Sequence, residues 1–463
     1  MKKFRLKITC EDINILKQHV FANLPKEAGA FALAGMASDN NQVDILIRRV
    51  IKIPQELIPV ANEYHLEISP RAINGIISLC ESNKLGVVIC HSHPEGLIYS
   101  SSDDYGENRL VNSIRQFIPN NAPIASLLLT PEDITGRIWL PGKKRPIMFD
   151  EIIIVGNYLH RINKIKNPNN NKLDLEIYDR QVRAFSTEGQ KLISQSKVGI
   201  IGVGGTGSPI AEQLARLGVT DFKLIDPDQL SPSNITRVYG TSYNSVKKPH
   251  KLSDFKVNII SAHLKSINPN IHVQAINQNV VLNKTCISLI DRDILFLCTD
   301  EHWGRSVINQ LCYQYMIPTI NLGVRVTSDA GNITNAIGVL DVLQPGKPCL
   351  WCKQFLRSER ISAESMPKNN YSGLKKEGYV EDIYTPEPSV ISFTSSVAST
   401  AVSIFIQFIT NFMGKTGNIN RISWDFLTGL TTRGTTNINP SCLCQHVKGY
   451  GDLKIMPTVN RLN

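Results

Sequence analysis

The chain has 463 residues and an ordinary globular composition, which predicts about two or three domains that each bury their own core. Its formal net charge of +10 is spread along the sequence, and no basic run with interleaved aromatic residues occurs. Nucleic-acid binding is therefore not expected. Ten cysteines in so long a chain do not suggest a disulfide scaffold, and four of them have metal-like spacing, which favours a reducing cytosol.

Two segments bear on targeting. The first residues, MKKFRLKITCEDIN, carry charges where a signal peptide needs an apolar core, so no secretion signal is expected. Residues 389–414 carry no charge and are long enough to cross a bilayer. Their many hydroxyl and amide side chains instead predict a helix buried inside a soluble domain. We therefore expect a cytoplasmic protein that does not use a membrane.

A strand-like run followed by two histidines marks the first region. In KLGVVICHSHPEG, His91 and His93 are two residues apart, so on an extended chain both rings point the same way. Ser101 and Asp104 complete the pattern H-x-H-P-x(6)-S-x-x-D. Two histidines and one aspartate give zinc three ligands and leave a fourth position for water, as in hydrolytic sites. A structural turn, with Asp104 capping the next helix, is the alternative.

The segment HSHPEGLIYSSSDD resembles the JAB/MPN (JAMM) motif of metalloproteases that cut ubiquitin-like proteins. That family has a further glutamate upstream, and LPKEAGAFALAG supplies Glu27 in that place. The resemblance implies an α+β domain with a mixed sheet over residues 1–158. It also implies that His91, His93 and Asp104 bind a catalytic Zn²⁺. Glu27 would be the general base, and the Ser101 hydroxyl would stabilise the oxyanion.

Residues 159–175 are polar, contain Asn-Pro and a run of asparagines, and show no apolar periodicity. This composition predicts a flexible linker. A second domain is expected over residues 176–463.

The second domain begins with a nucleotide-binding pattern. KVGIIGVGGTGSPIAEQLARLGVTDFKLIDPD, residues 197–228, is typical of strand, glycine loop, helix and strand in a doubly wound, Rossmann-like sheet. The loop glycines let the backbone turn sharply beside a phosphate, and the helix N-terminus favours an anion. An acidic residue about 20 positions later would suit the ribose of NAD equally well, so the loop alone does not name the nucleotide. The loop glycines are Gly202, Gly204, Gly205 and Gly207.

Three downstream segments resemble the ThiF/MoeB/HesA adenylyltransferases, which are related to ubiquitin-activating enzyme. They are LIDPDQLSPSNITRV, SDFKVNIISAHLKSINPNIHV and DILFLCTDEHWGRSVINQLCYQYMIPTINLG, and EIYDRQVRAFSTEGQ precedes them. The resemblance covers about residues 176 to 450. The matching positions are Arg180, Asp226, Asp228, Asn234, Arg237, Lys256, Asp300, Arg305, Asn309 and Pro318.

This resemblance implies that ATP is the nucleotide. Arg237 and Lys256 would clamp its triphosphate, Asp300 would help to hold Mg²⁺, and Asp226 would accept the ribose hydroxyls. Arg180 matches an arginine that reaches the nucleotide of a neighbouring subunit, which implies a homodimer. The segment before Lys256 is longer than usual in the family, so Lys251 is an alternative for the lysine.

Two cysteine pairs predict a second metal site. Cys349 and Cys352 form C-x-x-C, and Cys442 and Cys444 form C-x-C. The family has a structural zinc held by two C-x-x-C pairs, so the tighter second pair is a departure. His446 could replace one of its cysteines, and a redox C-x-x-C is the rival interpretation.

The loop at 353–389 lacks the cysteine that full ubiquitin-type activators use as a nucleophile. The enzyme would therefore stop at an acyl-adenylate, or another group, with Ser389 as a candidate, would accept the acyl chain.

Three functions remain open. The first is a bifunctional enzyme that adenylates the C-terminal glycine of a ubiquitin-like protein and also trims or removes that protein, with or without a conjugating enzyme. The second is activation and processing of a sulfur-carrier protein. The third is a nucleotide-sensing module with a degenerate hydrolase.

Overall fold

The structure is a computed structural model that describes residues 2–63, 65–163, 174, 176–247, 255–366 and 388–460. These residues form two compact units. The first unit comprises the described part of residues 1–170 together with Gln314–Met316 and Val447–Ile455, and the second comprises the described remainder. The predicted linker, 159–175, lies mostly outside the described residues, as does Lys251.

The first unit is built on a nine-stranded mixed sheet in the order β11-β10-β1-β3-β2-β6-β7-β8-β9, with a separate β4-β5 hairpin. β1 runs parallel to β3 and β10, and β6 runs parallel to β7, while the other neighbours are antiparallel. The elements are β1 (Lys3–Thr9), α1 (Cys10–Val20), β2 (Gly29–Ser38), β3 (Gln42–Lys52), β4 (Val60–Ala61), β5 (Leu66–Glu67), α2 (Pro70–Asn83), β6 (Gly86–Ser92), α3 (Ser101–Arg115), β7 (Ile124–Leu129), β8 (Ile134–Ile138), β9 (Ile147–Met148), β10 (Glu151–Val155) and β11 (Leu159–Asn163).

Both faces of this sheet are buried. Along β2, Ala30 and Ala32 belong to one hydrophobic cluster, whereas Phe31 and Leu33 belong to the other. Successive side chains of a strand point to opposite faces, so a strand covered on both sides is apolar throughout, as this one is. The predicted mixed sheet is confirmed, and membership of the JAB/MPN family stays a prediction.

A segment from far along the chain completes the first unit. Residues 447–455 run beside β2, where Met36 and Gly451 form a bridge and the Asp452 N–H donates to the Met36 carbonyl at 2.7 Å. The Asp452 carboxylate accepts from the Ser38 N–H at 2.7 Å, and Lys448 pairs with Asp12. The predicted first domain of residues 1–158 does not include this segment, because GYGDL has no periodicity that links it to a strand.

Gly35 is expected to tolerate no side chain, because that segment lies directly against it. A Cβ there would lie 2.2 Å from the Gly449 carbonyl oxygen and 2.4 Å from that of Tyr450. We expect Gly35→Ala to lower the unfolding free energy of the first unit by about 1–3 kcal/mol, the usual cost of overpacking. Hydrogen exchange of the β2 and β3 amides during denaturant titration measures it. Gly75→Ala is the matched control, since a Cβ at Gly75 in α2 meets no atom within 4 Å. Equal stability of the two variants would contradict the packing.

The second unit is built on an eight-stranded sheet in the order β14-β13-β12-β15-β16-β17-β18-β19. Neighbouring strands pair parallel from β14 to β16 and antiparallel from β16 to β19, so β16 belongs to both parts. The parallel part, with helices between its strands, confirms the predicted Rossmann-like half. The elements are α4 (Asp179–Ser194), β12 (Lys197–Ile201), α5 (Gly207–Arg216), β13 (Asp221–Ile225), α6 (Tyr243–Lys247), α7 (Lys256–Ile267), β14 (His272–Ile276), α8 (Asn283–Ile287), β15 (Ile294–Leu297), α9 (His302–Gln314), β16 (Thr319–Asp329), β17 (Asn332–Leu343), α10 (Ser358–Ser365), α11 (Ile391–Thr410), β18 (Arg421–Asp425), β19 (Leu430–Gly434) and α12 (Leu443–Val447).

Helix α11 is the one described helix long and apolar enough to cross a membrane. It packs against α4, α5, β16 and β17, and Val397, Ala401 and Phe405 on it are fully buried. Its apolar side chains therefore form part of the core of the second unit, as the sequence predicted.

Candidate functional site

The glycine loop between β12 and α5 is shaped so tightly that two of its positions exclude any side chain. Gly202 has φ of 86°, and a Cβ there would lie 2.8 Å from the Thr299 nitrogen. A Cβ on Gly207 would lie 1.9 Å from the Gly202 carbonyl oxygen. A tight glycine turn that leads directly into the N-terminus of a helix is the arrangement that binds a phosphate.

Arg237 lies directly over this loop. A Cβ on Gly205 would come within 3.2 Å of Arg237 Cδ, so the glycine lets the arginine approach. Arg237 follows a short 3-10 turn, Pro232–Thr236, in which the Asn234 side chain is buried and accepts from the Ser231 N–H at 3.0 Å. Asn234 therefore shapes the turn that presents Arg237.

Asp226 ties the loop to the end of β13. Its carboxylate accepts from the backbone N–H groups of Val203 and Asp228, each at 2.9 Å. Burial raises the pKa of Asp226, and Lys256 opposes that shift. Lys256 Nζ lies 2.7 Å from Asp228 Oδ2 and 3.9 Å from Asp226 Oδ1. The predicted lysine and both predicted aspartates are therefore neighbours at the carboxyl end of the parallel strands.

Asp300 is exposed and follows β15, the strand next to β12. Burial raises the pKa of Glu301, and the charges of Glu364, Asp300 and Asp228 raise it further. Asp300 therefore lies near other carboxylates. Glu364 itself accepts from the His302 and Trp303 N–H groups at 3.1 and 2.6 Å, and so caps α9. Sequence reasoning missed this cap, since no local spacing connects Glu364 to α9.

The remaining predicted positions of the second unit are structural or outside this cluster. Arg305 is buried, and its Nε donates to the Thr299 carbonyl at 2.8 Å. Asn309 is buried and accepts from the Leu350 N–H at 2.9 Å. Arg180 is exposed on α4, and Ser389 is half-buried just before α11. The roles of Arg180 and Ser389 stay predictions.

The two cysteine pairs converge, although more than 80 residues separate them. All four sulfurs lie within 4.8 Å of one another, with Cys349 Sγ 3.4 Å from Cys442 Sγ and Cys352 Sγ 3.9 Å from Cys444 Sγ. His446 is exposed and outside the cluster. Both cysteines of the C-x-C pair, Cys442 and Cys444, therefore contribute a sulfur to the cluster. The four thiols fit a tetrahedral structural zinc.

In the first unit the two predicted histidines also converge with an aspartate. His91 Nε2 lies 3.4 Å from Asp103 Oδ1, and His93 Nε2 lies 3.5 Å from Asp103 Oδ2. Burial alone would raise the pKa of Asp103, but the contacts with His91 and His93 hold it well below its usual range. The three ligand atoms lie within 4.8 Å of one another, as a metal site requires.

The aspartate in this group is Asp103 and not the predicted Asp104, so that assignment is corrected by one position. Asp104 points away, with its side chain 60% exposed and paired to Arg137. The reason is the helix start: Ser100 caps α3, and Ser100 and Asp103 form a capping box. In the run SSSDD, the residue at which the helix begins decides which aspartate faces the histidines. The Ser-x-x-Asp capping pattern that starts at Ser100 is the signal that could have identified Asp103. Ser101 is exposed at the first position of α3, and its role stays a prediction.

Glu27 lies beside the histidines. It is buried, and its Oε1 is 3.5 Å from His93 Nε2. Burial raises the pKa of Glu27, against the effect of His93. A buried carboxylate with a raised pKa next to a ligand set suits a general base.

The residues present fit zinc in this position. His91 Nε2 is buried and has no hydrogen bond of good geometry, which a metal ion would satisfy. Two imidazoles and one carboxylate are ligands that zinc accepts, with a position left for water.

Comparison with known proteins assigns the second unit. Residues 178–444 match the ThiF family, so the chain belongs to that family. It is 30% identical over 184 residues to the molybdopterin-synthase adenylyltransferase of Escherichia coli (strain K12), which covers 39% of this chain and 69% of that protein.

Two further comparisons give lower sequence identity. The chain is 26% identical over 198 residues to ubiquitin-like modifier-activating enzyme 5 of Bombyx mori, covering 38% of this chain and 47% of that protein, about half its length. The crystal structure of E. coli MccB with ATP is 22% identical, covers 60% of this chain and 75% of that chain, and aligns with a TM-score of 0.45.

Proposed function

We propose that the second unit adenylates the C-terminal glycine of a small ubiquitin-like or sulfur-carrier protein, using ATP. The observation that carries the proposal is the gathering of Arg237, Asp226 and Lys256 around the glycine loop. A dehydrogenase transfers a hydride and has no need of two cations there, so this set favours a triphosphate over NAD. The relatives' names support the same reaction class.

In the proposed reaction a carboxylate oxygen of the carrier attacks the α-phosphorus of ATP, and the bond to the β-phosphate breaks. The products are a carrier acyl-adenylate and pyrophosphate. Negative charge builds on the phosphate oxygens, and Arg237 and Lys256 stabilise it. Mg²⁺, when bound, would neutralise phosphate charge, and Asp300 is the carboxylate best suited to hold it.

The fate of the acyl-adenylate depends on the loop at 353–389, which has no cysteine. We propose that the adenylate itself is the product handed to a partner, such as a conjugating enzyme or a sulfur donor. Ser389 is the alternative acceptor. A homodimer through Arg180 belongs to the same proposal, because the family likeness implies that this arginine serves a neighbouring nucleotide.

We further propose that the first unit is a JAB/MPN-type zinc hydrolase that trims the carrier or releases it from an amide bond. His91, His93 and Asp103 would hold the zinc, which when bound makes hydroxide available near neutral pH. Glu27 would take the proton from the attacking water and pass it to the leaving amine. The contacts of His91 and His93 with Asp103 support this proposal.

Pyrophosphate exchange into ATP tests the adenylation. The full chain is incubated with Mg·ATP, labelled pyrophosphate and a panel of ubiquitin-like and sulfur-carrier proteins ending in Gly-Gly. Exchange is expected with one carrier and not with the same carrier lacking its last glycine. Exchange that ignores the terminal glycine would contradict the proposal.

The same carriers with a short C-terminal extension test the hydrolase. Cleavage after the glycine should depend on zinc and stop with a chelator. Two zinc ions per chain are expected, one for each site. Transfer of the activated carrier to lysine rather than to sulfur would favour the ubiquitin-like pathway over the sulfur-carrier alternative.

A further inference from the structure

Arg137, on β8, joins two carboxylates of α3 that stand one turn apart. Its guanidinium pairs with Asp104 at one end and with Glu107, 3.0 Å away, at the other. The Arg137 side chain is only 5% exposed, so these contacts are shielded from solvent on the arginine side. A guanidinium holds two acceptors in fixed directions because its donors lie in one plane.

Glu107 extends this contact into the sheet. It is buried, and its Oε2 also accepts from Ser126 Oγ at 2.8 Å and Trp139 Nε1 at 2.9 Å. Ser126 lies on β7 and Trp139 directly follows β8. Because these donors come from the sheet and the acceptor from the helix, the group fixes the position of α3 on the sheet.

The same guanidinium also contacts an aromatic ring next to His91. Arg137 Cζ lies 3.6 Å from the centre of the Tyr99 ring, a cation–π contact. The Tyr99 ring meets the His91 ring edge-on, with centroids 5.9 Å apart. Arg137 therefore contacts α3, whose first turn carries Asp103. It also contacts the Tyr99 ring, which borders His91.

We propose that Arg137 is a positioning residue for the metal site, holding Asp103 and His91 at the separation that zinc requires. The inference rests on the proposed zinc hydrolase of the first unit. Partners behind metal ligands commonly change metal affinity or activity about 10–100-fold when removed. Arg137 contacts α3, which carries Asp103, through Asp104 and Glu107, and it contacts the ring next to His91 through Tyr99.

The test compares Arg137→Ala and Arg137→Lys with wild type in the full chain. Zinc per chain is counted by mass spectrometry after dialysis against chelators of graded strength. Arg137→Ala should lose one of its two zinc ions to a chelator whose zinc affinity is about 10–100-fold lower than that needed to remove the ion from wild type. Arg137→Lys, which keeps the charge without the planar fork, should fall between the two. If the alanine variant fails to fold, Arg137→Lys still tests the proposal.

Arg115→Ala is the matched control. Arg115 also joins α3 to the sheet, donating to the carbonyls of Ala122 at 2.9 Å and Trp139 at 3.0 Å, but from the last turn of the helix. Hydrogen exchange should show that Arg115→Ala destabilises the first unit about as much as Arg137→Ala does. The zinc affinity of Arg115→Ala should equal that of wild type. Equal zinc loss in Arg115→Ala and Arg137→Ala would overturn the positioning role.

The outcomes separate the inference from the proposed function. If wild type binds one zinc ion and the four cysteines hold it, the hydrolase proposal fails and the inference fails with it. If wild type binds two zinc ions and both Arg137 variants bind them as tightly as wild type does, only the inference fails.

Discussion

Glu27→Gln is expected to abolish cleavage of a carrier fusion while the first unit keeps its zinc. The amide has nearly the shape of the carboxylate but cannot take a proton from water. Glu27 is buried and its Oε1 lies 3.5 Å from His93 Nε2, within reach of a water bound beside the histidine. Loss of a general base commonly costs about 10²–10⁴ in rate. The measurement is kcat for cleavage of an extended carrier, together with zinc content.

The control for this variant is Glu81→Gln, on the exposed side of α2 in the same unit. It should cleave at the wild-type rate. Pyrophosphate exchange should be the same in both variants, since the second unit is unchanged. A Glu27→Gln enzyme that cleaves normally would refute the proposed base, and one that loses zinc would make Glu27 a ligand instead.

The nucleotide end of the second unit could be predicted because its constraints are local. Gly207 is fixed by the Gly202 carbonyl within the same turn, Gly202 has a positive φ, and Arg237 lies over Gly205 from the next loop. Such spacing is visible in the sequence. The contacts made by Glu364 are not, because α10 reaches the start of α9 through tertiary folding alone.

The first unit shows where sequence reasoning reached its limit. The two histidines were found from their spacing on a strand, but the aspartate depended on where α3 begins. A helix start one residue earlier or later rotates the next side chains by about 100°. Ser100 fixed that start, so Asp103 faces the histidines and Asp104 faces Arg137.

The cysteine pairs and the segment at 447–455 depend on contacts across long stretches of chain. Spacing alone left His446 as a possible ligand, and the folded chain shows that Cys442 and Cys444 both reach the cluster. Nothing in the composition of 447–455 indicated that it would pack on β2. Long-range pairing of this kind is decided by complementary shape, as at Gly35 and Gly451, where backbone meets backbone.

Lys256→Met should nearly abolish pyrophosphate exchange and leave cleavage by the first unit intact. Methionine keeps much of the apolar stem of a side chain that is only 12% exposed, and removes its charge. Lys256 Nζ lies 2.7 Å from Asp228 Oδ2, so a triphosphate entering the site must compete with that carboxylate for the ammonium. Without the ammonium, only Arg237 would offset the charge of Asp226 and Asp228 near the phosphates. Removing one such charge-stabilising group commonly costs about 10²–10³ in kcat.

Two further lysines make this test decisive. Lys265→Met lies on the exposed face of the last turn of α7, the helix that Lys256 begins, and should exchange at the wild-type rate. Lys251→Met examines the alternative assignment. If Lys251→Met loses exchange and Lys256→Met retains it, the clamp has been assigned to the wrong lysine. If all three variants exchange normally, the side chain that neutralises the leaving pyrophosphate must come from elsewhere, and the proposed chemistry would lose its main support. The expected pattern, loss at Lys256 alone, follows because Lys256 lies beside Asp226, whose carboxylate also accepts from the Val203 N–H of the phosphate loop.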